Sequence, residues 1–389
     1  LNLLEIILVI VGFLAIYNFI VYPVLLKILK IIRPKIILPD SDFEPEVTFI
    51  IAAYNEEALI EGAIDSINQS HYPKEKINII IGSDGSTDGT NSILKNLASN
   101  NSSIKYYILN RSGKNNVLNN IVPLAKTEII LFMDADVRLN KDTLANLVSY
   151  FQNEKVGAVI ASQTVVGDGE TDNAGSEGDS FYHKYEENIR INEGITGSNV
   201  NSLGYLYGIR KNLYIPVPNN YVCDDLHNIY SVLQNKKRVL FAREAKAYEV
   251  RPKSLNNEFH RRVRAVAGGW ATVVFHRNLL NIFTYGLTSF FIWSHKIFRW
   301  LSPVFLILLF VLTFAVYNSE LIFSVFIIPQ TIVYLSAILG WFFEKLNIKI
   351  KIFRLSLFFV SMNFSSLLGL FRFISRKQNA VWNREGFNN

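Results

Sequence analysis

The sequence predicts an α/β domain with a mainly parallel sheet, held between membrane-spanning helices at its two ends. Three observations predict it. Apolar residues crowd the two ends of the chain, short apolar runs alternate with helix-like stretches between them, and those runs stop at small and acidic residues. Half of the 389 residues are apolar and only 19% are charged, below the roughly 25% of soluble domains. A mean hydropathy of +0.20 excludes a disordered or fibrous chain and argues against an ordinary cytosolic enzyme. The single cysteine, Cys223, excludes an intramolecular disulfide framework and a cysteine-based zinc site. A net charge of +6 suits anionic partners or the cytoplasmic face of a membrane.

The first element, residues 1–35, reads as a transmembrane anchor. Leu3 to Leu26 is nearly continuous apolar sequence, broken by Glu5, Asn18 and Pro23, and matches one bilayer span of about 20 residues. Lys27, Lys30, Arg33 and Lys35 follow it and no basic residue precedes it, so the next domain is expected in the cytoplasm. A signal peptide would want a basic front and a small-residue cleavage site.

Residues 44–250 carry the α/β pattern. Apolar runs at 47–54, 77–84, 104–109, 128–136 and 156–161 read as buried parallel strands, and Ala58–Ser70 and Asn91–Ser99 as crossover helices. Residues 251–300 read as amphipathic interfacial helices, including a basic stretch over 258–270 and a short apolar run, Leu279–Trp293. Residues 301–373 hold three span-length segments, Leu301–Tyr317, Leu321–Phe343 and Ile352–Phe371, before a tail at 374–389. Asn318–Glu320 suits the outside and Lys345, Lys349 and Lys351 the inside. Counting spans then puts the tail outside, against the charge of Arg372, Arg376, Lys377 and Arg384. Either the last segment, polar at Ser361, Asn363, Ser365 and Ser366, stops short of spanning, or the charge rule fails there.

In such a fold, functional residues are expected at the carboxyl ends of the strands. The first strand ends in AYNEE (53–57) and the second in SDGSTDGT (83–90), with a helix starting near Thr87. Asp84 and Asp88 suit either ligand contact or turn and N-cap duties. The fourth strand runs into Asp134-Ala135-Asp136. Alternation along a strand would turn both carboxylates to one side, and hard oxygen donors without His or Cys suit Mg2+ or Mn2+. In CDDLHNIYSVLQ (223–234), Leu226, Ile229, Tyr230 and Leu233 follow helical spacing. Asp224 and Asp225 fall at the helix start, either as caps or with one as a general base, and His227 is expected to face solvent. The six histidines show no metal-ligand spacing. Over 258–270, Phe259, Val263, Val266 and Ala267 share a helix face while Arg261, Arg262 and Arg264 project elsewhere, towards anionic lipid or a diphosphate. Positive charge flanks membrane segments without aromatic interleaving, so no nucleic-acid partner is expected.

AYNEE, SDGSTDGT, RSGKNNVLN (111–119), MDAD, GYLYGIR (204–210), CDDL and RRVR occur in an order that resembles glycosyltransferase family 2, in its membrane-embedded branch of cellulose, chitin, hyaluronan and chitooligosaccharide synthases. The likeness extends through SHKIFRWLSP (294–303). It implies a GT-A domain and inverting transfer of a hexose or N-acetylhexosamine from a nucleotide sugar, usually a UDP-sugar, to a glycan or lipid-linked acceptor. The enzyme would be a multi-pass protein of the cell membrane with its catalytic domain in the cytoplasm. By motif position, Tyr54, Glu56, Asp84 and Lys114 would hold the donor. Asp134 and Asp136 would face its diphosphate through Mg2+ or Mn2+, and Arg261, Arg262 and Arg264 would contact it. Asp225 would be the base, with Asp224 and Gly204 at the acceptor. Two departures from the family matter: Arg261 and Ala265 replace the usual Gln and Trp of the last motif, and Ser83 replaces an Asp. Because the Trp stacks on the acceptor sugar, Ala265 favours short products over a processive, exporting synthase. The reading from another class is a non-catalytic nucleotide-sugar-binding or secretion component.

Overall fold

The computed structural model describes residues 2–163, 174–219, 221–250, 255–316 and 320–376. Its centre is one eight-stranded sheet made of β1 (Val47–Ala53), β2 (Ile77–Asp84), β3 (Ile104–Leu109), β4 (Ile129–Met133), β5 (Val137–Leu139), β6 (Val156–Gln163), β7 (Leu206–Arg210) and β8 (Arg238–Glu249). The strand order is β3-β2-β1-β4-β7-β6-β8-β5. The first four strands pair in parallel, and β6 and β8 do so again. β7 runs antiparallel to β4 and β6, and β5 antiparallel to β8, so the sheet is mixed on that side.

β1 is buried along its whole length because both faces are covered. Phe49 and Ile51 enter one core layer with Ile64, Ile79 and Leu144, while Ile50 and Ala52 enter the other with Val117, Ile121 and Tyr207. Helices Ile60–Asn68 and Thr90–Asn100 form the expected crossovers. The register sets Ala53 beside Ser83, and Ile50 beside both Ile80 and Phe132. The carboxyl ends of β1, β2 and β4 therefore share one edge, the usual ligand side of a parallel sheet.

Four helices are long and apolar enough to cross a membrane: Leu3–Ile32, Leu287–Ala315, Phe323–Lys345 and Lys351–Ile374. Side chains such as Ile10, Phe13, Val311, Ile332 and Trp341 leave them exposed and apolar on their outer faces. Their polar residues point inward instead. Asn18 is buried in a π-helical turn, Tyr17–Val21, and Tyr17 shares a hydrogen bond with Ser294 (2.9 Å). Ser365 and Ser366 are buried and bond Met362 O, and Ser302 Oγ donates to Asn363 Oδ1 (2.6 Å). The polar residues of the last segment thus serve helix packing and leave it an unbroken 24-residue helix.

Two expectations change here. Leu279–Trp293 is not one interfacial helix. A single turn, Ile282–Tyr285, capped by Asn281, ends at Gly286, whose positive φ of 53° breaks the helix. The chain restarts at Leu287 and continues into the candidate span, burying Ser294, His295 and Lys296. The basic helix Leu255–Phe275 does not lay its apolar face on lipid either. Val263 and Val266 pack on helix Lys351–Ile374, where Gly369 lets the backbones approach: a Cβ there would meet Val266 Cβ at 2.7 Å. Most of the tail, 377–389, lies outside the described residues.

Candidate active site

The loop after β1 is tied to the loop after β2. Asn55, held at φ 53°, accepts from Thr87 N through Oδ1 (2.8 Å). Glu56 N donates to Thr90 Oγ1 (2.8 Å), and Glu57 accepts from Gly89 N (2.6 Å). Asp88 accepts from Thr90 N and Glu57 N and so holds the turn before the helix, while Gly89 takes the N-cap position. Asp84 is 1% exposed. Its carboxylate accepts from Arg111, Ser112 N (2.7 Å) and Gly113 N (3.0 Å), fixing the loop that precedes Lys114. Arg111 in turn lies over the Tyr54 ring, 3.4 Å from its centroid. Of Tyr54, Glu56, Asp84 and Lys114, then, Asp84 is buried and ties the Arg111–Gly113 loop, Glu56 is buried and bonds Thr90 through its backbone N, and Tyr54 and Lys114 are partly exposed.

Asp134 and Asp136 do not continue the strand, so alternation is not what orients them. Pairing of β4 with β7 stops at Met133, Asp134 N donates to Tyr205 O, and the chain turns through Val137 N–Asp134 O (3.1 Å) into β5. Both remain partly exposed at the end of β4. Lys114 Nζ donates to Asp134 Oδ1 (2.9 Å) and lies 3.3 Å from Asp224 Oδ2. Burial works against the Lys114 ammonium, but Asp134 and Asp224 outweigh it and hold its pKa above the ordinary lysine value. Asp224 is pushed up to about 6, first by burial, with Asp225 adding to the rise and Lys114 opposing it.

Asp224 and Asp225 open helix Asp224–Gln234, as the spacing predicts. Gly204, at φ 79°, faces the second carboxylate so closely that a Cβ would stand 3.2 Å from Asp225 Oδ2. Gly204 is thus both conformationally required and small enough to admit the side chain. His227, expected in solvent, is fully buried. Helix Leu255–Phe275 covers that face, and His276 pairs with His227 (3.1 Å). Desolvation lowers the two rings to about 4 and about 3, which keeps the pair neutral. Burial raises the Cys223 thiol, making it unreactive.

Asp225 lines a cavity of about 240 Å³ together with Tyr182, Arg190, Arg261, Arg262, Lys296 and Trp300. Ala265 lines it too, while Arg264 does not. Residues 261, 262, 265 and 266 share the helix face that meets the cavity. Tyr182, Arg190, Lys296 and Trp300 escaped sequence reading. The signal for Arg190 is the i, i+4, i+7 set Glu186, Arg190 and Glu193, an ionic stripe on a helix that runs under apolar segments.

Residues 48–208 match the family model described as Glycosyl transferase family 2. A beta-monoglucosyldiacylglycerol synthase of Nostoc sp. is 38% identical over 126 residues, 31% of this chain and 26% of that protein. A poly-beta-1,6-N-acetyl-D-glucosamine synthase of Staphylococcus aureus is 30% identical over 120 residues, 31% of this chain and 29% of that one. The chain thus matches little more than a quarter of these relatives' length. Among solved structures, a mannosyltransferase from Pyrobaculum calidifontis in complex with GDP-Man and Mn2+ superposes with a TM-score of 0.74 at 20% identity, covering 97% of this chain and 100% of that one. That likeness establishes the GT-A fold.

Proposed function

We propose, from the match of residues 48–208 to the Glycosyl transferase family 2 model, that the chain is an inverting membrane glycosyltransferase. It moves a hexose or N-acetylhexosamine from a nucleotide sugar, a UDP-sugar in the first instance, to a glycan or glycolipid acceptor. Its four apolar helices span the cell membrane and its sheet domain lies in the cytoplasm. The observation that supports this reading is the bridge from Asp134 through Lys114 to Asp224, which ties the start of the helix that carries Asp225 to the strand-end acids.

Asp225 takes the proton of the acceptor hydroxyl. The oxygen attacks the anomeric carbon from the face opposite the nucleoside diphosphate, and the bond to that diphosphate breaks with inversion. Asp134 and Asp136 fit Mg2+ or Mn2+. They are two partly exposed hard-oxygen donors, and among the described residues no group of three His, Cys, Asp or Glu competes as a closed site. Bound there, the ion supplies charge neutralisation on the leaving diphosphate. Tyr54 borders the nucleoside and Lys114 sets the acids around it, while the buried Glu56 and Asp84 hold their loops in shape. Ala265 leaves the acceptor side without an indole at that position, which supports a single transfer over processive synthesis.

Asp225→Asn keeps the shape and removes the base. Purified in detergent with UDP-glucose, UDP-N-acetylglucosamine, UDP-glucuronate or GDP-mannose, the variant is expected to lose about 10²–10⁴-fold in transfer while binding donor normally. Unchanged turnover would remove Asp225 from the role of base.

A further inference from the structure

The cavity beside Asp225 has an unusual charge. Its lining carries four cationic side chains, Arg190, Arg261, Arg262 and Lys296, beside the carboxylate of Asp225; Arg261 and Arg262 are engaged by partners of their own. Two of the four are deeply buried, Arg190 at 4% exposure and Lys296 at 9%. Burying a cation is unfavourable unless it is paired and fully hydrogen-bonded. Lys296 Nζ donates to the neutral Asn201 Oδ1 and stands 5.5 Å from the Trp300 ring. Arg190 reaches Glu186 only at 3.7 Å, and its buried Nε has no hydrogen-bond partner among the described residues. Ser202, also in the lining, has a buried Oγ in the same condition.

A resident of the cavity reports the same field. Tyr182 lies under Arg262, 4.5 Å from ring centroid to guanidinium. Burial alone would raise its phenol pKa, but Arg262, followed by Arg299 and Arg190, pulls it below the ordinary tyrosine value. The same guanidinium groups would attract any anion placed beside them. The strand-end acids and Lys114 are absent from the lining, which Asp225 shares with Ala265.

Resting on the proposed function, we propose that this cavity is the acceptor subsite and that it selects acceptors carrying an anionic group, with Arg190 and Lys296 as its buried counter-charges. The group is a phosphodiester or a carboxylate borne near the accepting hydroxyl. The lining supports entry from the bilayer, because Lys296 and Trp300 belong to the candidate span Leu287–Ala315.

The test uses the full chain in detergent and three short-chain probes: dihexanoyl-phosphatidylglycerol, dihexanoyl-glucuronosylglycerol and the neutral dihexanoyl-glucosylglycerol. Binding is read from tryptophan fluorescence, to which Trp300 contributes, and needs no turnover. At least one anionic probe is expected to bind ten-fold or more tightly than the neutral one, and which of them does so identifies phosphodiester or carboxylate. Lys296→Gln should erase that preference, Lys296→Arg should restore it, and donor affinity should stay within two-fold in both. Equal binding of all three probes overturns the proposal. So does a Lys296→Gln variant that loses UDP instead, since the cavity would then hold the donor's diphosphate. Failure of the functional reading is distinct: probes bind as described while no nucleotide sugar is turned over.

Discussion

Lys114→Met tests the bridge on which the site depends. The ammonium stands 2.9 Å from Asp134 and 3.3 Å from Asp224, whose side chain is almost wholly buried. At an effective dielectric of about 20, unit charges about 3 Å apart attract by roughly 5 kcal/mol, and breaking a buried pair costs about 3–5 kcal/mol. Asp134 is 30% exposed, so solvent screens its share and about 3 kcal/mol is the expected loss. For a domain of this size that is a fall of roughly 6–12 °C in melting temperature. The pH dependence has a definite sign. Asp224, at about 6 with Lys114 present, rises further without it. Above pH 6 the wild-type carboxylate is ionised and the pair is worth its full amount; below it Asp224 is protonated in both proteins and its share of the deficit vanishes. Tryptophan-fluorescence melts at pH 8 and pH 5 should therefore show a larger deficit at pH 8, with Lys114→Arg in between. A melt at pH 8 within about 2 °C of wild type, or a deficit that grows on acidification, would refute the reasoning.

Two further outcomes are expected. Gly269→Ala drives a methyl to 2.4 Å from Trp300 Cη2, an overpacking worth about 1–3 kcal/mol; an unchanged melt and indole emission would mean that helices Leu255–Phe275 and Leu287–Ala315 do not touch in this way. Exhaustive chelation should stop transfer and Mn2+ should restore it, with Asp136→Asn demanding more metal; activity that survives chelation would take Asp134 and Asp136 out of the metal role.

β1, β2 and β4 were readable because each is buried on both faces and shows as a mostly apolar run, whereas β3, only partly covered, still reads as a short apolar run around Lys105. β8 was not. Its stretch Arg243–Lys246 is only half covered, so charged residues interrupt the pattern, and β7 hides behind Gly208 and a buried Arg210 paired with Glu128. Asp224 and Asp225 were legible as a helix start, since that depends on local spacing alone. The side on which His227 lies depends on helix Leu255–Phe275, which no local pattern reveals. The same holds for the cavity: Arg190 and Lys296 meet only after two distant segments pack. Asp84 shows the converse limit, a motif residue found at once whose atoms serve the Arg111–Gly113 loop.

The helix Ala174–Thr196 is held from two directions. Tyr22 donates to Glu193 (2.6 Å), and His295 reaches Glu193 (2.6 Å) and Glu186 (3.1 Å), with Arg299 closing on Glu186. During synthesis Tyr22 leaves the ribosome long before His295 and Arg299, so Glu186 and Glu193 lack those two partners while the sheet is already able to form. An order of assembly follows: the first apolar helix and the sheet are made first, and the interior closes only when the segment around His295 arrives. A fragment cut to the sheet domain would lose the partners of Glu186 and Glu193 together with the segments that bury them, so this helix reaches its packed state only with the apolar helices present.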